Sequence, residues 1–293
     1  MAPRAVILGC RGVALDAAER RALAAADPWG FILFARNVEG PEQLRRLTAE
    51  LRAAVGRDAP ILIDQEGGRV ARLRAPWREW LPALEECARQ PSLERRVRAM
   101  GLRYRLIAAE LAAVGIDVDA APVLDLVHPE THAIIRDRAY GADPAEVAAI
   151  GRAVADGLLA GGVLPVMKHV PGHGRATLDS HLALPRVTAS REALEADLSP
   201  FRALADLPMA MTAHVVYEAI DAAAPATLSR AAIAVIREAI GFDGLLMTDD
   251  LSMRALAGPM EARAAAAIEA GVDMLLHCNA DADEMAAVVA AAP

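Results

Sequence analysis

The groups that could do chemistry concentrate between Lys168 and His181, in Lys-His-Val-Pro-Gly-His-Gly-Arg-Ala-Thr-Leu-Asp-Ser-His. The segment holds three of the seven histidines, and Lys168 is the only lysine in a chain with 31 Lys+Arg. A sequence that uses arginine for every other cation has no compositional reason to place its single lysine here. The apolar run Val163–Met167 predicts a buried strand before it, and Pro171, Gly172 and Gly174 predict a loop after it. Asp179 and His181 are one residue apart, so the carboxylate can accept a hydrogen bond from the imidazole, orient it and raise its pKa from about 6.5. A histidine held in that way can give a proton to a leaving group and later take one from water. The plainer reading of the pair is an Asx-turn beside a solvated histidine. Lys168 and His169 could bind hydroxyls or an anion, and Lys168 could form a Schiff base; a structural ion pair is its plainer role.

Three further clusters matter. Asp249 and Asp250 close the apolar run Gly244–Thr248, and successive strand residues face opposite sides, so at most one is expected to face a site. That carboxylate could be a nucleophile, a base or a metal ligand, while its neighbour suits a helix N-cap. Residues 63–72, Ile-Asp-Gln-Glu-Gly-Gly-Arg-Val-Ala-Arg, set the acceptor Asp64 and the donor Arg72 around two glycines that let backbone approach a ligand. Arg138 follows the fourth predicted strand. His128, His132 and Cys10 have no spacing that favours function.

The elements that must position these groups alternate along the whole chain. Strands are predicted at Ala5–Gly9, Gly30–Phe34, Pro60–Asp64, Ile116–Ala121, Val163–Lys168, Met209–His214, Gly244–Thr248 and Val272–His277. Helices are predicted at Asp16–Ala26, Pro41–Val55, Leu93–Val114, Asp143–Ala160, Ser190–Leu204, Ser229–Ile240, Pro259–Ala270 and Ala282–Ala291. Pro41 and Pro259 suit a first helical turn, Ser190 and Ser229 an N-cap, and Gly115, Gly161, Gly241 and Gly271 a helix C-terminus. Eight strands alternating with eight helices in 293 residues is the count for a single α/β domain, a (β/α)8 TIM barrel over residues 1–293. A doubly wound open sheet is the rival, but no Gly-x-Gly-x-x-Gly follows the first strand. Polar residues gather at the predicted strand ends: Asp64, Asp119, Asp125, Lys168, His169, His214, Asp249, Asp250, His277 and Asn279. In such barrels that is the active face.

The totals narrow the partners. A net charge of −8 argues against nucleic acid and against an anionic membrane. Three separated cysteines without a Cys-x-x-Cys pair predict reduced thiols in a cytoplasmic protein. The first apolar run is too short for a signal peptide, and no run of about 20 apolar residues predicts a membrane span.

Together these segments resemble family 3 glycoside hydrolases, in particular the single-domain bacterial β-N-acetylglucosaminidases. The resemblance rests on residues 63–70, 137–141, 168–174, 179–181, 248–253 and 270–279, in order along essentially the whole chain. Val170 stands where the family usually has an aromatic residue and Arg136 where glycine is common. The resemblance implies Asp249 as nucleophile and His181, paired with Asp179, as general acid/base in a retaining mechanism with a covalent glycosyl-enzyme. It implies Asp64, Arg72, Arg138, Lys168 and His169 as the binding groups for a non-reducing-end N-acetylglucosamine. It also implies a carbohydrate substrate from peptidoglycan recycling, GlcNAc-1,6-anhydro-MurNAc with or without peptide, no metal or other cofactor, and a monomer. Two alternatives stay open: a phosphorylase that transfers the sugar to phosphate, and a metal-dependent barrel hydrolase using His169, His173, His181, His214 and Asp249. A non-catalytic sugar-binding barrel would need neither Asp249 nor His181.

Overall fold

The computed structural model describes residues 2–293; Met1, counted in the expected domain 1–293, lies outside them. Eight strands form one parallel sheet: β1 (Arg4–Gly9), β2 (Pro28–Leu33), β3 (Ile61–Ile63), β4 (Val118–Asp119), β5 (Leu164–Val170), β6 (Met209–Thr212), β7 (Leu245–Met247) and β8 (Leu275–His277). Their order is β7-β6-β5-β4-β3-β2-β1-β8, with β1 paired to β8 and a single bridge, Met247 to Met274, joining the two ends. The helices of the repeat are α1 (Ala17–Ala26), α2 (Pro41–Val55), α3 (Leu93–Ala112), α4 (Pro144–Ala160), α5 (Arg191–Ala203), α6 (Arg230–Ala234), α7 (Met260–Ala270) and α8 (Ala282–Ala291), with short extra helices at Ala83–Ala88 and Ala133–Arg136. The chain is a (β/α)8 barrel, as the alternation predicts.

Alternation along each strand divides the core in two. One cluster takes Ile7, Ile32, Leu62, Val118, Val166, Met209, Met247 and Leu276, one from every strand, and fills the barrel. Their neighbours Val6, Leu8, Phe31, Leu33, Ile61, Ile63, Met167 and Leu246 point the other way and pack against the helices. Two residues above the filled layer, the same inward rows end in Asp64, Lys168, Asp249 and Cys278 at the mouth. Strand parity thus selects which side chains meet there.

Several boundaries move. The fourth strand shrinks from the expected Ile116–Ala121 because Ile116 gives its N–H to Leu111 and Ala121 gives its own to Asp119, outside any ladder. The fifth runs on to Val170, with a register shift against β6 between Lys168 and Val170. The expected helix Ser229–Ile240 is α-helical only to Ala234 and continues as a π-helix over Val235–Ile240. Pro259 is the residue before α7 rather than in its first turn. Ser190 and Ser229 cap α5 and α6 through their hydroxyls, as expected.

Where regular pairing thins out, between β7 and β8, side chains complete the seam. The Asp273 carboxylate accepts from Leu246 N (2.7 Å), and the Thr248 hydroxyl accepts from Leu276 N (2.9 Å) in a buried position. Thr248→Val keeps the shape and strands that N–H, so a loss of about 1–3 kcal/mol is expected by urea denaturation. A stability equal to wild type would show that the seam closes without the hydroxyl.

Candidate active site

A cavity of about 320 Å³ opens at the C-terminal ends of the strands. Asp64, Arg72, Arg138, Lys168, His169, His181 and Asp249 all line it. Asp179 stands behind His181, its Oδ1 2.7 Å from His181 Nδ1 and 2.9 Å from the His181 backbone N–H.

On one wall Lys168, almost wholly buried, donates to Asp64 Oδ1 (2.8 Å) and contacts Glu66 Oε1 (2.7 Å). Arg72 donates to Asp64 Oδ2 (3.0 Å), and Arg138 donates to both Glu66 oxygens (2.9 and 2.8 Å). Burial alone would push the two carboxyls up. The charges of Lys168 and Arg72 outweigh it at Asp64, and those of Arg138 and Lys168 hold Glu66 down at about 2. Asp64 and Glu66 share a face because they are two residues apart in extended chain, which is the signal that would have found Glu66. The backbone at Gly67 is left-handed (φ 88°) and faces Arg103, a position that requires glycine.

His169 is oriented by Asp125, whose Oδ2 lies 2.7 Å from His169 Nδ1 while its Oδ1 accepts from His173 N (2.6 Å). Burial raises Asp125, but His169 more than offsets it and leaves it at about 2. Nothing in the local sequence marks Asp125 as the partner of residue 169; only the barrel brings them together.

Asp249 and Asp250 both line the cavity, contrary to the expectation that at most one would, and neither caps a helix. The chain turns directly after β7: Asp250 N donates to Asp249 Oδ1 (2.8 Å), and Asp250 accepts from Ser252 Oγ (2.6 Å) and Cys278 N (3.1 Å). Asp249 is thereby free to face the cavity. Burial raises its pKa, but His214, His169 and the Asp250 N–H together hold it below the ordinary carboxylate value.

Other residues expected at the mouth are turned elsewhere. His214 is fully buried; it donates from Nε2 to the Asp250 carbonyl (2.9 Å), and its Nδ1 lies 2.7 Å from Thr227 Oγ1. Nε2 braces the Asp249–Asp250 turn and Nδ1 is engaged by Thr227, which leaves neither for a metal. His277 and Asn279 reach Glu284 of α8, because Leu276 and Cys278 occupy the inward positions of that strand. Asp119 lies beside inward Val118 and faces away from the barrel interior. One of its oxygens accepts from Gln65 N (2.9 Å), the other has no partner among the described residues, and burial pushes its pKa up to about 7.

A βα barrel whose mouth sets an ionised carboxylate and an Asp–His pair around a cavity walled by buried ion pairs has the make-up of a glycoside hydrolase. The chain matches the Glycosyl hydrolase family 3 N terminal domain over residues 7–292, and it belongs to that family. A β-hexosaminidase of Alkalilimnicola ehrlichii is 45% identical over 285 residues, covering 94% of this chain and 80% of that protein. One from Pseudomonas aeruginosa is 40% identical over 279 residues, covering 94% and 82%. Among solved structures, NagZ from Neisseria gonorrhoeae in complex with N-trifluoroacetyl-D-glucosamine superposes with a TM-score of 0.90 at 35% identity, covering 99% of this chain and 85% of that one. A family 3 β-N-acetylglucosaminidase from Paenibacillus gives 0.91 at 32%, covering 98% and 56%. The protein is a glycoside hydrolase of the β-N-acetylhexosaminidase kind.

Two outcomes follow from the charges. Glu66→Ala leaves Lys168 and Arg138 short of a partner in a buried wall, and a loss of about 3–5 kcal/mol is expected by chemical denaturation. A smaller loss than an exposed ion pair gives would show that solvent replaces the carboxylate. For Asp119 the folded-state pKa is raised, so the unfolded chain ionises first, near pH 3.9, and stability falls as pH climbs from about 4 to about 7. Asp119→Asn keeps an acceptor for Gln65 and removes the charge. Its stability relative to wild type is expected to be higher at pH 8 than at pH 5, and a difference that does not vary with pH would contradict the assignment.

Proposed function

We propose that the protein is a retaining exo-β-N-acetylglucosaminidase with Asp249 as nucleophile and His181, paired with Asp179, as general acid/base. The observation that carries this reading is that Asp249 and His181 line one cavity, the first held ionised and the second oriented by Asp179 at 2.7 Å. In the first step Asp249 forms a bond to the anomeric carbon as the glycosidic C–O bond breaks, and His181 gives its proton to the departing oxygen. In the second, water attacks the same carbon, returns a proton to His181 and releases Asp249. Two inversions give net retention.

Asp64, Arg72, Arg138, Lys168 and His169 bind the terminal N-acetylglucosamine. Their mixture of carboxylate, ammonium, guanidinium and imidazole suits neighbouring sugar hydroxyls, each of which can donate and accept. The relative solved with an N-acylated glucosamine supports the same sugar here. We assign as substrate a peptidoglycan fragment, N-acetylglucosamine linked to 1,6-anhydro-N-acetylmuramic acid, cleaved in the cytoplasm by a monomer. The three buried free cysteines accord with a reducing compartment. Among the described residues, no helix is long and apolar enough to cross a membrane.

The test is release of p-nitrophenol from its β-N-acetylglucosaminide, with chelator present and without phosphate. Wild type is expected to be active and Asp249→Ala to fall to background. His181→Ala is expected to lose about 10²–10⁴-fold on an alkyl glycoside, whose oxygen needs a proton, and far less on the aryl one. Full activity in Asp249→Ala, or an absolute need for phosphate, would overturn the assignment.

A further inference from the structure

The segment after β5 has two halves that are held very differently. Residues 172–176 are pinned from all sides. Tyr217 donates to the Gly172 carbonyl (2.9 Å), Thr131 to the Gly174 carbonyl (2.6 Å), and Arg175 to the buried Asp197 (2.6 Å). A side chain at Gly174 would strike the Leu126 backbone, so this half cannot shift without disturbing its neighbours.

Residues 177–183, which carry Asp179 and His181, have far fewer ties. Leu178, His181 and Leu182 are exposed, and Leu182 N and Ala183 N bond only within the segment, to the Asp179 carbonyl. Two longer backbone bonds reach across from the turn after Asp249: Ala255 N to Ser180 O (3.2 Å) and Arg254 N to His181 O (3.4 Å). Among the described residues, one side-chain bond joins this tip to the pinned half, between the buried Ser180 hydroxyl and His173 Nε2 at 3.2 Å.

His173 is itself fixed. Its backbone N–H goes to Asp125 Oδ1, and its ring meets the His169 ring edge-on with centroids 5.7 Å apart. Its Nδ1 is buried with no partner among the described residues, so Ser180 is the only group that the ring engages by hydrogen bonding. Burial, with His169 beside it, pushes its pKa down to about 4 and keeps the ring neutral.

We propose that His173 and Ser180 form a latch that positions the Asp179–His181 pair over Asp249. His173 and Ser180 both line the cavity, and we assign His173 as a positioning residue because its ring's one hydrogen bond among the described residues goes to Ser180 and not to Asp249 or His181. Through Asp125 it also couples the sugar-binding His169 to the acid/base tip. The inference rests on the roles proposed above for Asp249 and His181.

The two halves of the reaction read the latch separately. Cleavage of an aryl glycoside needs little protonation, whereas hydrolysis of the glycosyl-enzyme needs a base. For Ser180→Ala, kcat/KM on the p-nitrophenyl glycoside is expected to stay within about threefold of wild type, while kcat and KM fall together. On methyl β-N-acetylglucosaminide, kcat/KM is expected to drop about 10- to 100-fold. Azide, which attacks without a base, should restore kcat on the aryl substrate. Ser180→Thr keeps the hydroxyl and should behave like wild type, and His173→Asn should reproduce Ser180→Ala. An equal loss on both glycosides, or none on the methyl glycoside, would overturn the latch while leaving the roles of Asp249 and His181 intact. A wild type inert on both would overturn the underlying reading and the latch with it.

Discussion

Lys168 is the constraint around which the mouth is built. An ammonium that is 1% exposed survives only with counter-charges in place, since stripping it of water without them costs many kcal/mol. Its two carboxylates come from the end of β3 and from the hairpin strand Gln65–Gly67, and each holds an arginine as well. Asp64 binds Arg72, and Glu66 binds Arg138 from the segment after β4. The ends of β3 and β5 are therefore tied by charge to each other and to the segment after β4. Three cations facing two carboxylates leave an excess of N–H donors at this wall.

The opposite side of the cavity follows a different rule. There the Asp249–Asp250 turn is braced by His214, Ser252 and Cys278, all engaged through backbone or buried contacts. The nucleophile candidate is thus rigid, while the acid/base candidate sits on a segment held by a few longer bonds. That contrast fits a two-step reaction, in which one group must stay at the anomeric carbon and the other must attend first to a leaving oxygen and then to water.

The eight βα units were legible because burial on both faces makes parallel strands read as apolar runs, and because helices announce their ends through Ser190, Ser229, Gly241 and Gly271. The residues Asp64, Arg72, Arg138, Lys168, His169, Asp179, His181 and Asp249 were legible through motifs, which carry chemical type and order. Glu66 was within reach, being two positions from Asp64 in extended chain. Asp125, His173 and Ser180 were not, because their roles depend on partners: Asp125 and His169 are 44 positions apart in sequence and 2.7 Å apart in space. The turn after Asp249 was misread for a related reason. Sequence parity assumes that the strand continues, and here it stops at Met247.

By itself, then, the sequence determined the repeat, the inward rows of each strand and the kinds of groups at their ends, since these depend on periodicity within about ten residues. Only the tertiary structure decided which of those groups touch. Closing eight strands into a barrel converts separations of tens or hundreds of residues into single hydrogen bonds, such as Lys168 to Asp64 across 104 positions. No local pattern records such a distance, because it is set by the sheet order and register of all eight strands together.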